Sequence, residues 1–137
     1  MSVALGIDLG SVRVGLALSD PTGAIAFPHK AIDFKGLPEL VEEISELITA
    51  KNISTVIIGK PLRMSGEAGK MAEKSAIFAE MLGEAHPGID IVLLDERLTS
   101  AEAERRIREA GGKPSRNKGS VDAVAASIIL RTWLERS

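Results

Sequence analysis

ALGIDLGSVRVGLALSD, residues 4–20, is the stretch that decides the fold. Leu5 and Ile7 alternate with smaller residues, and Val12, Val14, Leu16 and Leu18 alternate again after Leu9-Gly10-Ser11. This is the pattern of two short strands joined by a tight turn. Gly10 can take a positive φ at little cost, which predicts the chain reversal there. Asp8 closes the first apolar run, so it belongs at the rim of a core strand. A carboxylate on a rigid strand end beside a glycine suits a metal or phosphate site. Asp, Gly and Ser are equally at home in a turn without function.

Outward from this hairpin, Asp20-Pro21-Thr22-Gly23 fits a type I turn. It leads to a third, antiparallel strand over 24–34, and Pro28 within it predicts an edge position. The period then changes. Leu37, Leu40, Val41, Ile44, Leu47 and Ile48 mark one stripe of a helix, with Glu39, Glu42, Glu43 and Glu46 on its outer face. Residues 54–59 (STVIIG) read as a strand covered on both faces, stopped by Lys60-Pro61. Gly66 and Gly69 flank a loop, and a second helix runs to Ala85 with Met71, Phe78 and Leu82 buried. Residues 89–94 read as another buried strand, ending at Asp95-Glu96. Thr99-Ser100-Ala101-Glu102 is a capping box that starts a third helix, which Gly111-Gly112 ends. Residues 113–119 (KPSRNKG) read as a mobile loop, and Ser120 as the cap of a last helix over 121–134 with Val121, Val124, Ala125 and Ile128 inward.

This order predicts an α/β domain. A three-strand antiparallel meander is extended by two parallel strands, giving a five-stranded mixed sheet with helices on both faces. Ligands bind beyond the carboxyl ends of the parallel strands in such sheets. Asp8, residues 59–61 and Asp95-Glu96 all fall at those ends.

The 137 residues suit one domain, 1–137, able to bury a core without staples. There are no cysteines, which removes disulfides, thiolate metal sites and a Cys nucleophile. No basic leader and no long apolar run is visible, so no membrane association and a cytoplasmic location are expected. Net charge is −2, yet residues 97–118 carry seven Lys and Arg against three Glu. That surplus can attract a polyanion while the whole chain stays acidic, or be a solvated helix face. Aromatics are 3% of the chain, so base-stacking platforms are poorly supplied and any nucleic acid is held by its backbone and shape. His29 and His86 have no partner spacing and read as surface or satisfied residues. Asp20 belongs to its turn.

Asp8, Glu96 and Asp122 are the candidate chemistry. Three carboxylates without Cys or a nearby His form a hard oxygen set that suits Mg²⁺ or Mn²⁺. Two such ions about 3.5–4 Å apart can activate a water and stabilise the leaving oxygen of a phosphodiester. Each residue also has a structural role open to it. Asp122 in a first helical turn gains roughly 0.3–1 kcal/mol from the helix dipole. Glu96 can be an exposed strand end, and Asp95 points opposite to it.

The motifs GIDLGSVRVGLALSD, IIGKPLRMSGEAG, DERLTSAEAE and KGSVDAVAASIIL together resemble the YqgF family. These are relatives of RuvC-type Holliday junction resolvases with an RNase H-like fold, and the likeness runs from Ala4 to Leu130. It implies a divalent-metal-dependent nuclease that trims the 5′ end of precursor 16S rRNA or cuts branched DNA. It puts the three acidic residues on Asp8, Glu96 and Asp122. The mechanism expected from their placement has Asp8 bridging two ions, with Glu96 and Asp122 each completing one shell. Arg13, Arg63, Arg97 and Lys118, beside the carboxylate edge, are expected to contact phosphates. Lys60 and Ser65 depart from the family pattern, which bears on contacts around 60–66. Monomer and homodimer are both open. Two other functions fit parts of the sequence. A non-catalytic nucleic-acid-binding or regulatory module would keep the basic stripe without the acids. An ATPase of the actin, Hsp70 and sugar-kinase type shares the GIDLGS hairpin but needs two such domains.

Overall fold

The computed structural model describes residues 2–60, 66–95 and 118–136. Strands β1 (Val3–Leu9), β2 (Arg13–Ser19) and β3 (Ala26–Asp33) form the meander. Helix α1 (Leu37–Lys51), β4 (Ile53–Lys60), α2 (Gly66–Ala85), β5 (Asp90–Asp95) and α3 (Lys118–Leu134) follow. The sheet order is β3-β2-β1-β4-β5. β1–β2 and β2–β3 are antiparallel, and β4 and β5 extend the sheet parallel to β1. This is the mixed sheet expected from the sequence. Pro28 lies on the edge strand β3, where its missing N–H breaks no ladder. Pairing passes there from Leu16–Lys30 to Ala17–Pro28, so His29 is the extra residue of a bulge.

Strand alternation divides the core into two layers. Leu5, Ile7, Leu9, Val14 and Leu16 face α1 and α2, where Leu40, Ile44, Ile48, Met71, Phe78 and Leu82 complete one cluster. Ala4, Ala17 and Ile57 face α3, where Ala125, Ala126, Ile128, Ile129 and Leu130 complete the other. Ala4, Gly6, Gly15 and Ala17 are the small residues that β1 and β2 turn toward α3, so α3 lies close against these two strands. A Cβ on Gly6 would stand 2.8 Å from the Ala126 carbonyl oxygen, and one on Gly15 would stand 2.0 Å from that of Asp122. Both glycines are therefore required by close approach.

Four details differ from the sequence reading. Gly10 is absent from the positive-φ glycines, which among the described residues are Gly23 and Gly36. The tight approach of the Arg13 carbonyl, 2.4 Å from where its Cβ would be, is what demands glycine there. Gly69 lies inside α2 rather than in a loop, although glycine costs a helix interior roughly 1 kcal/mol. β5 is half-buried, since it lies at the far end of the sheet order and its Leu93 is exposed. α3 begins at Lys118, so Lys118 and Gly119 are helical and Ser120 is within the first turn. The third predicted helix and residues 113–117 of the predicted loop lie outside the described residues.

The turn after β2 forms as expected. Gly23 N–H donates to the Asp20 carbonyl at 3.0 Å, and Gly23 has φ +75°. The Asp20 carboxylate accepts from Ala24 N–H at 2.8 Å, Ile25 N–H at 2.9 Å and the Thr22 hydroxyl. These bonds, that of Thr22 foremost, hold its pKa below the ordinary carboxylate value. His86 accepts or donates at 2.7 Å with Ser45 Oγ, tying the end of α2 to α1.

Gly15→Ala should destabilise the fold by about 1–3 kcal/mol in urea denaturation, the range for an overpacked core. Gly88→Ala, where a Cβ meets nothing within 4 Å, should change stability by less than about 0.5 kcal/mol. Equal effects would contradict the close-approach account. A second prediction concerns acid. A carboxylate with a lowered folded pKa adds stability above its unfolded value of about 3.9, and that stability is lost as pH falls through the folded value. Asp20→Asn should therefore flatten the acid limb of the stability–pH curve below about pH 5 and leave its shape at neutral pH intact.

Candidate active site

Asp8 is the penultimate residue of β1. The preceding alternate positions of the strand, Ala4 and Gly6, face α3, which puts Asp8 on that side too. It is 2% exposed. Its register partner on β2 is Gly15. The backbone of Asp122 rests on that same glycine, so the missing Cβ of Gly15 is the seat on which Asp122 is carried to the neighbourhood of Asp8. Asp122 is 8% exposed. Asp122, Ala126 and Leu130 recur every fourth residue, and this stripe of α3 runs over Gly15 and Gly6.

Arg13 opens β2, and its Nε–H donates to Asp122 Oδ2 at 2.8 Å. This is a charge-assisted bond of ordinary length. The Arg13 side chain keeps 28% of its surface in contact with solvent. Lys118 is the first residue of α3, four before Asp122.

The parallel strands end level with this corner. Lys60 of β4 pairs in register with Asp95 of β5, and Ile58 pairs with Ile7, one residue before Asp8. Glu96 follows Asp95 directly and lies outside the described residues, as do Arg63, Ser65 and Arg97. The described structure thus brings together Asp8, Asp122 and Arg13 of the expected set. Among the described residues no group of three acidic or histidine side chains gathers at one point. The donors present are carboxylate oxygens, nearly buried and next to a backbone glycine. This donor chemistry fits Mg²⁺ or Mn²⁺ and does not fit a metal that prefers sulfur or imidazole.

Sequence reading missed two things. One is the helix seat formed by Gly6 and Gly15. Its signal was present, because glycine inside a strand marks close approach of another backbone. The other is the Arg13–Asp122 pair, which joins residues 109 positions apart and has no local signature.

A family model described as RuvX, Holliday junction resolvase, matches residues 2–136. A protein of Mycobacteroides abscessus named "Putative pre-16S rRNA nuclease" is 37% identical over 140 residues, covering 96% of this chain and 80% of that one. One of the same name from Maridesulfovibrio salexigens is 39% identical over 133 residues, covering 97% and 98%. Among solved structures, Thermus thermophilus RuvC in complex with a Holliday junction superposes with a TM-score of 0.64. It does so at 15% identity, over 98% of this chain and 94% of that chain. At that identity the likeness shows a shared RNase H-like fold. A match of this extent leaves the two-domain ATPase without support. The chain belongs to the RuvX (YqgF) family of resolvase-type nucleases.

Proposed function

We propose that the chain trims precursor 16S ribosomal RNA, hydrolysing a phosphodiester bond at the corner where Asp8 and Asp122 meet. The observation that carries this is the pair of nearly buried carboxylates on one sheet face, seated over Gly15. The names of the relatives favour the RNA substrate, and the RuvC likeness favours branched DNA as the alternative.

In this reading residues 1–137 act as one nuclease domain in the cytoplasm. No helix among the described residues is long and apolar enough to cross a membrane. Asp8, Asp122 and Glu96 would hold two divalent ions through their carboxylate oxygens. Mg²⁺ or Mn²⁺ bound there would supply an activated water and charge stabilisation for the leaving oxygen. Asp8 and Asp122 are fixed in place by strand and helix, so their geometry is set before substrate arrives. Arg13, Arg63, Arg97 and Lys118 meet backbone phosphates, which orient the strand without reading its bases. Lys60 ends β4 at the same edge, and Lys60 and Ser65, which depart from the family pattern, would alter contacts around 60–66.

The test is cleavage of labelled precursor 16S rRNA and of a four-way DNA junction, each with Mg²⁺, Mn²⁺ or chelator. Cleavage of the RNA that needs metal and is lost in a folded Asp8→Asn protein is expected, with Mn²⁺ binding in calorimetry lost as well. Preference for the junction would move the substrate to DNA. Tight binding without cleavage by both proteins would favour the non-catalytic module. Separately, Arg97→Ala should weaken RNA binding at all sequences and lower the slope of log affinity against log salt by about one. An unchanged slope would remove Arg97 from the phosphate contacts.

A further inference from the structure

The Arg13–Asp122 pair is in the wrong place to be only a strut. It occupies Oδ2 of a carboxylate that, in the reading above, is a metal ligand. A guanidinium and a divalent ion are both cations drawn to the one negative charge of this carboxylate, and their mutual repulsion across it opposes joint occupancy. The backbone of Arg13 is fixed, with its carbonyl accepting the Gly10 N–H at 3.0 Å, so any exchange falls to the side chain. That side chain is partly solvent-exposed, and the carboxylate it holds is nearly buried. The mobile member of the pair is therefore the arginine.

Two further placements give the released group somewhere to go. Asp33 is the register partner of Arg13 on the edge strand β3 and is exposed. Direct cross-strand neighbours lie about 4.5–5.5 Å apart at Cβ, within reach of an arginine. Arg13 also stands at the carboxyl-end rim of the sheet, where a nucleic-acid backbone would pass.

We propose that Arg13 is a resident counterion of Asp122, displaced by the incoming divalent ion and then free to engage a phosphate of the nucleic acid. Metal and nucleic acid are thereby coupled through one side chain. A phosphate that draws Arg13 outward vacates Asp122 Oδ2 and strengthens metal binding. Metal at Asp122 strengthens phosphate binding by the same factor, because coupling between two binding events is reciprocal. Without nucleic acid the carboxylate remains neutralised by the protein's own cation, which keeps metal affinity low.

This inference rests on the assignment of Asp122 as a metal ligand. The experiment follows the Arg13 Nε–H resonance in the ¹H–¹⁵N spectrum of the full chain during a Mg²⁺ titration, with calorimetry in parallel. The resonance is identified by its loss in Arg13→Gln. It should be shifted and slowly exchanging without metal, as a hydrogen-bonded Nε–H is. It should move toward the solvent-exposed position in step with Mg²⁺ saturation, and Asp122→Asn should hold it there throughout. Arg13→Gln should bind Mg²⁺ about fivefold more tightly, the effect of removing a charge-assisted competitor. Mg²⁺ binding in calorimetry with the Arg13 resonance unmoved would overturn the displacement while leaving the metal site intact. No Mg²⁺ binding at all would overturn the metal assignment, and the coupling with it.

Discussion

The structure depends on how closely α3 can lie against β1 and β2. Gly6 and Gly15 have no Cβ, and α3 presents Ala123, Ala125 and Ala126 to the sheet. The helix backbone rests on the strand backbone with the Asp122 carbonyl over Gly15. Any larger residue in either strand would push the helix outward. Asp122 would then leave the level of Asp8, because both are positioned against the same glycine. A packing constraint and a chemical one are here the same contact. The opposite face of the sheet has no such demand, and it fills with large side chains such as Phe78, Leu82 and Ile44.

The two faces divide the work. The layer under α1 and α2 supplies the apolar burial that holds the sheet, with Phe78, Leu5 and Ile7 fully enclosed. The layer under α3 carries Asp8 and Asp122 at its carboxyl end and is otherwise apolar, with alanine and glycine on β1 and β2 and isoleucine and leucine from β4 and α3. Arg13 meets this acidic pair at the rim of the layer, 2.8 Å from Asp122 Oδ2. The site's electrostatics thus follow from which strand faces hold glycine and alanine and which hold leucine and isoleucine.

Much of this was legible in the sequence. Alternation over residues 4–20, the turn at Asp20–Gly23 and the helical stripe from Leu37 to Ile48 are strong local signals, and each element stands as read. The strand order followed from the change of period and from the need of parallel strands for crossovers. Asp8 was legible as a strand-end carboxylate, whereas Asp122 read as a first-turn residue and is not one: its helix starts at Lys118 and has no acidic residue in its first turn, so the helix dipole is not what places it. What escaped were contacts between distant segments. Gly10 looked like a positive-φ turn residue, although the Arg13 carbonyl beside it explains the glycine. Gly69 looked like a breaker but lies within α2, since one glycine's propensity does not end a helix of 20 residues. β5 read as buried from its apolar run, and only the sheet order reveals it as an edge. For Gly10 and β5 propensity gives way to packing, and packing partners are not written in adjacent residues.

The most direct measurement is the anomalous scattering of Mn²⁺ in a crystal of the protein grown with that ion. The account predicts manganese bound by carboxylate oxygens of Asp8 and Asp122 over Gly15, with Glu96 completing the ligands and Arg13 turned away from Asp122. Manganese found only at other carboxylates, or Asp122 still paired with Arg13 at full metal occupancy, would contradict it.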